Sequence, residues 1–280
     1  MNRSFQAEDI ECLVIVGAGF VGAALAHVLR DRVESLRVTT RSKARRDALQ
    51  AVGLDAWQLD LEDRLRLQEV LEGATHVVFS AAAGRGGNYE AVYDRGTAHV
   101  VDALSDARVV YTSSTGVYAA DDGSWADEDS KLVAREGRGA ALRAGEDHIL
   151  GVGGVVLRLS GLVGRDRGPH RRVGALAGST RTDGEGWLNL APLDLVLESL
   201  ETALVSDAGG VFNVSSSTPL RRRAFYDAVL ERVGADPIRW EPGDDSKGRR
   251  IRVDRLGAVL GVEAPAFDLD AILRDEGPGR

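Results

Sequence analysis

Three glycines stand at positions 17, 19 and 22 of the stretch CLVIVGAGFVGAALAHVLRD, between an apolar run and an amphipathic one. The first permits a tight turn and the second lets backbone approach a ligand closely. The third lets helix and strand pack together, with Phe20 and Val21 opening a helix whose free N–H groups face a diphosphate. Further on, VTTRSKARRD places Arg41 at the second strand end, where a protein reading a ribose 2′-hydroxyl would carry an acid. A carboxylate repels a 2′-phosphate, whereas a guanidinium pairs with it through two hydrogen bonds. Ser42 and Lys43 follow, then Arg45 and Arg46, and a basic cluster at a helix N-terminus opposes the helix dipole unless an anion is bound. The pattern predicts NADP(H) in preference to NAD(H). A solvated basic helix start explains Lys43, Arg45 and Arg46 equally well, but Arg41 less well.

Other residue types extend the same site. Asp60 and Leu61, in AWQLDLED, can offer an adenine ring a carboxylate and a backbone amide, with an N-cap role for Asp60 or Asp63 as the competing reading. Ser80, Ala81 and Ala82, in SAAAG, are small enough for backbone to lie against a cofactor, although tight helix packing would demand small residues too. VVYTSS ends in Thr112, Ser113 and Ser114, and a strand-end serine can hold a reacting oxygen or simply cap the strand. Tyr118, four residues on, can supply a phenol, with a packed aromatic of satisfied hydroxyl as the alternative. The acidic run around Asp121, Asp122 and WADEDS offers a general acid or a solvated loop. Arg138 can clamp an anionic substrate or developing oxyanion without exchanging a proton, or lie on a helix surface. The Arg-rich run RDRGPHRR (165–172) can bind phosphate or carboxylate, or remain solvated.

These residues need elements to hold them. Short, nearly continuous apolar runs at 12–16, 36–40, 76–80, 108–114, 154–160 and 210–215 read as strands buried on both faces. Helical patterns fall between them at 20–31, 43–52, 63–72, 89–104 and 139–150, with another after Pro192 and one at 221–233. That βαβα order predicts an α/β Rossmann fold, a doubly wound parallel sheet, with a small C-terminal substrate lobe. The dinucleotide domain is expected over 1–160 plus 191–216, and the lobe over 161–190 and 217–280.

Composition narrows the function classes. A chain of 280 residues with net charge −8 argues against nucleic acid or an anionic membrane as main partner. One cysteine, Cys12, allows no intrachain disulfide, no apolar run is long enough to span a membrane, and the N-terminus lacks an apolar signal core. A cytoplasmic protein acting on a small molecule is expected. The five histidines are scattered without metal-ligand spacing.

The segments VGAGFVG, TTRS, LDLED, VVFSAAAG, YDRGTAHVVDAL, VVYTSSTGVYAADDGSWADEDS, GVVLRLSGLVGRDRGP, LNLAPLDLV and GVFNVSSSTPLRRRAFYDAV together resemble the extended and atypical short-chain dehydrogenase/reductases, particularly the NAD-dependent epimerase/dehydratase group. The resemblance implies an active-site role for Ser114, hydrogen-bonding a substrate carbonyl or hydroxyl. It implies cofactor contacts for Leu159, Gly161 and Leu162, with Ser160, along the segment passing the nicotinamide. It also suggests a homodimer through helices 89–104 and 139–150, where Ala140, Ala141 and Ala144 would permit close packing or else face the sheet. The family's usual Tyr-x-x-x-Lys does not appear in REGRGAALRAGEDHILG. With Glu146 as anchor, Leu142 falls at the lysine position and Arg138 at the tyrosine position. Val163 and Ala191 likewise replace a tyrosine and a histidine, Asp194 remains, and His148 reads as structural. The expected function is an NADP(H)-dependent oxidoreductase or epimerase on a small polar metabolite, neutral or anionic. A non-catalytic NADP(H) sensor and a non-redox lyase or isomerase are the alternatives.

Overall fold

A computed structural model describes residues 10–84, 86–134, 136–164, 166–243 and 248–274. Its centre is a parallel sheet of β1 (Cys12–Val16), β2 (Ser35–Thr40), β3 (Asp55–Gln58), β4 (His76–Phe79), β5 (Arg108–Ser114), β6 (Val155–Leu159) and β7 (Gly210–Val214). Their order is β7-β6-β5-β4-β1-β2-β3, every neighbouring pair parallel. Sequence order reverses between β1 and β4, so the crevice beyond their carboxyl ends is where a Rossmann sheet binds its ligand.

The continuous apolar runs are continuous because both faces are covered. Along β1, Leu13 and Ile15 enter a core under helices α1 (Phe20–Leu29), α2 (Lys43–Ala51) and α6 (Leu193–Val205). Cys12, Val14 and Val16 enter the opposite core, under α3 (Arg64–Leu71), α4 (Gly96–Ala103) and α5 (Gly137–Gly151). The expected helix at 89–104 is not uniform: Glu90–Arg95 forms a π-helical turn before α4. The Thr97 hydroxyl donates to the Tyr93 and Asp94 carbonyls there, and Gly145 of α5 sits so close that a Cβ would lie 2.3 Å from the Tyr93 carbonyl oxygen. Such turns recur where helices are locally reshaped at functional sites.

A smaller C-terminal unit gathers Val163, Val173, Leu190, Phe225, Val229, Leu230 and Ile238 around α7 (Arg222–Val233). Short strand pairs tie it in. Gly161–Val163 runs parallel to Leu190–Pro192, and Gly248–Ile251 runs parallel to Asp122–Ala126 on the connection that follows β5. Among the described residues no helix is long and apolar enough to cross a membrane, and no cluster of His, Cys, Asp or Glu could hold a metal.

Candidate functional site

Gly17 has φ +103°, and a Cβ there would lie 2.4 Å from the Ala81 Cα. Only glycine fits this turn. Ser80 donates its hydroxyl to the Gly17 carbonyl at 2.7 Å, and a Cβ on Gly22 would meet that same hydroxyl at 2.5 Å. The glycine turn and the β4 end therefore hold each other, and Ser80 acts on the turn itself. Thr39 completes the clamp, its Oγ1 accepting from the Gly17 amide at 3.0 Å. Around Gly19 a Cβ would meet nothing within 4 Å, and α1 begins with no side-chain cap and no acid in its first turn. Free N–H groups at an open helix start form an anion cradle. Phe20 is half-buried and Val21 buried behind it.

Arg41 stands exposed at the end of β2 with no carboxylate partner among the described residues. Ser42 N-caps α2, accepting from the Arg45 amide, and Lys43 and Arg45 are exposed, while Arg46 pairs with Asp47. Asp63, not Asp60, is the N-cap of α3. Asp60 stays exposed, its carboxylate accepting from the Glu62 amide at 3.1 Å. Leu61 is buried against Gly96. Ala81 is half-buried and Ala82 exposed at the crevice side of β4. Leu159 is buried at the end of β6, with Gly161 exposed and Leu162 half-buried just beyond.

Ser114 is half-buried at the end of β5, and its Oγ accepts the Gly116 amide at 3.1 Å. Acceptance there leaves its O–H proton to be donated, the polarity needed to hold a carbonyl or alkoxide oxygen. Thr112, on the same face of β5, donates to the Phe79 carbonyl at 3.3 Å. Ser113 points the other way, its hydroxyl donating to Glu146 at 2.6 Å in the buried layer under α5. Its side chain is therefore turned from the crevice, contrary to the cofactor contact expected of it.

Tyr118 is no catalytic phenol here and takes its other reading, a packed aromatic with a satisfied hydroxyl. Its ring is fully buried, and its hydroxyl donates to Asn213 Oδ1 at 2.6 Å while accepting from Arg158 at 3.1 Å. Burial raises its pKa, only partly offset by the Arg158 charge. A phenol so committed has no path to a substrate. The acidic run is committed too: Asp121 accepts from the Gly248 amide, Asp127 from Ser130 and the Asp129 amide, Glu128 from the buried Asn213 amide, and Asp129 pairs with Arg255.

Sequence reasoning missed the partner that organises this region. Arg158, in β6, gives Glu146 two short bonds, Nε to Oε1 at 3.0 Å and Nη2 to Oε2 at 2.7 Å, with both side chains almost wholly buried. Burial pulls its pKa down, but hydrogen bonds and charge from Glu146 outweigh this and leave it above the ordinary arginine value. An arginine inside the apolar run GVVLRLS was the available signal, since such a charge must be paired. Arg249 was missed as well. Its Nη1 donates to the Thr115 and Tyr118 carbonyls at 2.8 and 2.9 Å, so the C-terminal unit grips the turn that follows Ser114. Tyr93, on the π-helical turn, accepts the Ala83 amide at 3.3 Å beside the β4 end, and burial raises its pKa.

On α5, Leu142 is buried and apolar, and Arg138 falls in the first turn with its side chain outside the described residues. Ala140, Ala141 and Ala144 line a cleft of about 670 Å³ with Tyr89, Glu90 and Asp94, on the side of α5 facing the π-helical turn. Val163 and Ala191 are fully buried, Asp194 is exposed in the first turn of α6, and His148 pairs with Asp94 at 3.0 Å.

The chain is similar to known proteins along most of its length. A family described as NAD(P)H-binding matches residues 17–150. Protein YeeZ of Escherichia coli (strain K12) is 31% identical over 267 residues, spanning 90% of this chain and 94% of its own. Among solved structures, the Bordetella bronchiseptica enzyme WbmG in complex with NAD superposes with a TM-score of 0.79 at 22% identity, covering 95% of this chain and 94% of that one. The Helicobacter pylori ADP-L-glycero-D-manno-heptose-6-epimerase does so with a TM-score of 0.81 at 16% identity, covering 98% and 96%.

Proposed function

The chain belongs to the same family as YeeZ, its residues 17–150 matching an NAD(P)H-binding family, and from that premise we propose that it is an NADP(H)-dependent oxidoreductase or epimerase of the short-chain dehydrogenase/reductase type, acting on a small polar metabolite, neutral or anionic. The carrying observation is the pairing of an open, capless glycine turn with an exposed Arg41 that has no carboxylate partner among the described residues, at the neighbouring strand end. The turn would receive the diphosphate and Arg41 the 2′-phosphate, with Asp60 and Leu61 at the adenine. The nicotinamide would supply or receive the hydride, while Ser114 donates a hydrogen bond to the reacting oxygen. Leu142 cannot hold ribose hydroxyls, and Arg138 stays protonated. The proton needed for carbonyl reduction would come from another acid or from a water.

Calorimetric titration with NADPH and NADH, repeated on Arg41→Ala, tests the reading. Tight NADPH binding that weakens selectively in the variant is the expected result; no binding of either nucleotide would overturn it. A second reading, a non-catalytic redox sensor, draws on the buried commitments of Leu142 and Tyr118. It requires different affinities for NADP+ and NADPH with no turnover across ketones, imines and nucleotide sugars.

A further inference from the structure

The segment that opens the C-terminal unit lies directly on the glycine turn. Gly164 packs on Phe20 so closely that a Cβ would lie 3.0 Å from the ring Cζ. Gly164 and Arg167 close a tight turn on each other, amide to carbonyl at 2.8 and 3.1 Å. Val163, fully buried, anchors this turn in the smaller core. The result fixes the Arg167 backbone beside the first residue of α1 and hangs its guanidinium over the Phe20 ring, 5.2 Å from the centroid. Arg167 is exposed and has no carboxylate partner among the described residues. Among the described residues of the Arg-rich run, Arg167 is placed against the glycine turn by its contact with Phe20.

We infer that Arg167 is a diphosphate clamp: it reaches from the C-terminal unit across Phe20 to the phosphates of a dinucleotide seated on the α1 N-terminus. This rests on the dinucleotide reading above. An exposed cation–π contact holds a guanidinium only weakly. The side chain can therefore leave the ring for a doubly charged ligand at little loss, and a planar fork suits phosphate oxygens. The first turn of α1 offers N–H groups but no cationic side chain of its own, so any side-chain cation at the diphosphate comes from another segment. Arg41 cannot supply it, being assigned to the far end of the adenosine. The clamp also makes the smaller unit sense cofactor occupancy, because the same turn carries Val163 into its core.

The test titrates NADPH and NADH into wild type, Arg167→Ala and Arg167→Lys, with Arg41→Ala alongside. The diphosphate is common to both nucleotides, so Arg167→Ala should weaken each by the same factor, about tenfold. It should also flatten the salt dependence of binding. Arg167→Lys should recover part of the loss. Arg41→Ala should instead weaken NADPH alone. Equal affinities for wild type and Arg167→Ala would overturn the clamp while leaving the dinucleotide reading intact. So would a loss confined to NADPH, which would move Arg167 to the 2′-phosphate. Absence of binding by the wild type would remove both together. Unchanged circular dichroism and melting of the unliganded Arg167→Ala protein would confirm that the variant folds, as an exposed side chain should allow.

Discussion

At the scale of single residues, the decisive contrast lies between neighbours on β5. Ser114 ends at the crevice with a proton to donate, whereas Ser113 is drawn into the buried chain Ser113–Glu146–Arg158–Tyr118–Asn213. That chain crosses from α5 through β6 to β7 beneath the serine turn. Removing one ion of a buried pair leaves the other uncompensated, so Glu146→Ala should cost about 3–5 kcal/mol in urea denaturation. Glu146→Leu combined with Arg158→Met should cost markedly less, since no lone charge remains. A double variant as unstable as the single one would show that the ion pair is not what Glu146 contributes. The glycine turn was legible in the sequence because its contacts are carried by a short spacing and one strand end. The polar chain was not, because its members meet only after the sheet assembles, Tyr118 and Asn213 being 95 positions apart. Tyr118 looked available for chemistry by its distance from Ser114. Its direction was set instead by Arg158 and Asn213, which local sequence does not encode.

At the scale of elements, the smaller unit is tied in through short two-stranded pairs, separate from the main sheet, that propensity does not announce. Their register is supported by alternating planes. Arg221 lies 3.7 Å from the Trp187 ring, Arg250 lies 5.0 Å from Trp187 and 4.9 Å from Trp125, and Arg252 lies 5.2 Å from Trp125. Strands Trp187–Leu188, Leu220–Arg221, Gly248–Ile251 and Asp122–Ala126 are thus stitched by guanidinium–indole contacts worth about 0.5–2 kcal/mol each. Arg250→Ala removes two of them and its bond to the Gly123 carbonyl at 2.9 Å. It should raise amide exchange in 122–126 selectively, and unchanged exchange there would show that the pairing of Gly248–Ile251 alone holds the join. Asp183 serves the same unit, paired with Arg181 at 2.6 Å and Arg222 at 2.7 Å. Hydrogen bonding to Arg181, opposed by burial and aided by Arg222, pushes its pKa down to about 2. The folded value lies below the unfolded one of about 4, so the stabilisation is complete above pH about 4 and disappears as pH falls through about 2. Solvent screening holds its size to about 1 kcal/mol. Asp183→Asn should reproduce that loss at neutral pH and flatten the acid limb of a stability profile. An unchanged limb would assign acid sensitivity to other carboxylates.

At the scale of the whole molecule, the long parallel sheet was legible because buried strands are apolar on both faces and helices separate them at regular intervals. The C-terminal unit was legible mainly as an interruption of that rhythm: its strands are two to four residues long and its contacts reach back across the chain. Those contacts converge on the site from outside, Arg249 on the turn after Ser114 and the Gly164–Arg167 turn on Phe20. A ligand seated between sheet and smaller unit should therefore stabilise both as one body. Binding at 100 times the dissociation constant adds about 2.7 kcal/mol. For a chain of this size that corresponds to a rise in Tm of roughly 5 °C in a single transition. NADPH should produce the larger rise, and added salt should shrink it because much of the attraction is to phosphate. Two separate transitions, with only the earlier or only the later moved by nucleotide, would show that the units melt independently and that the contacts of Arg249 and Arg167 do not couple them.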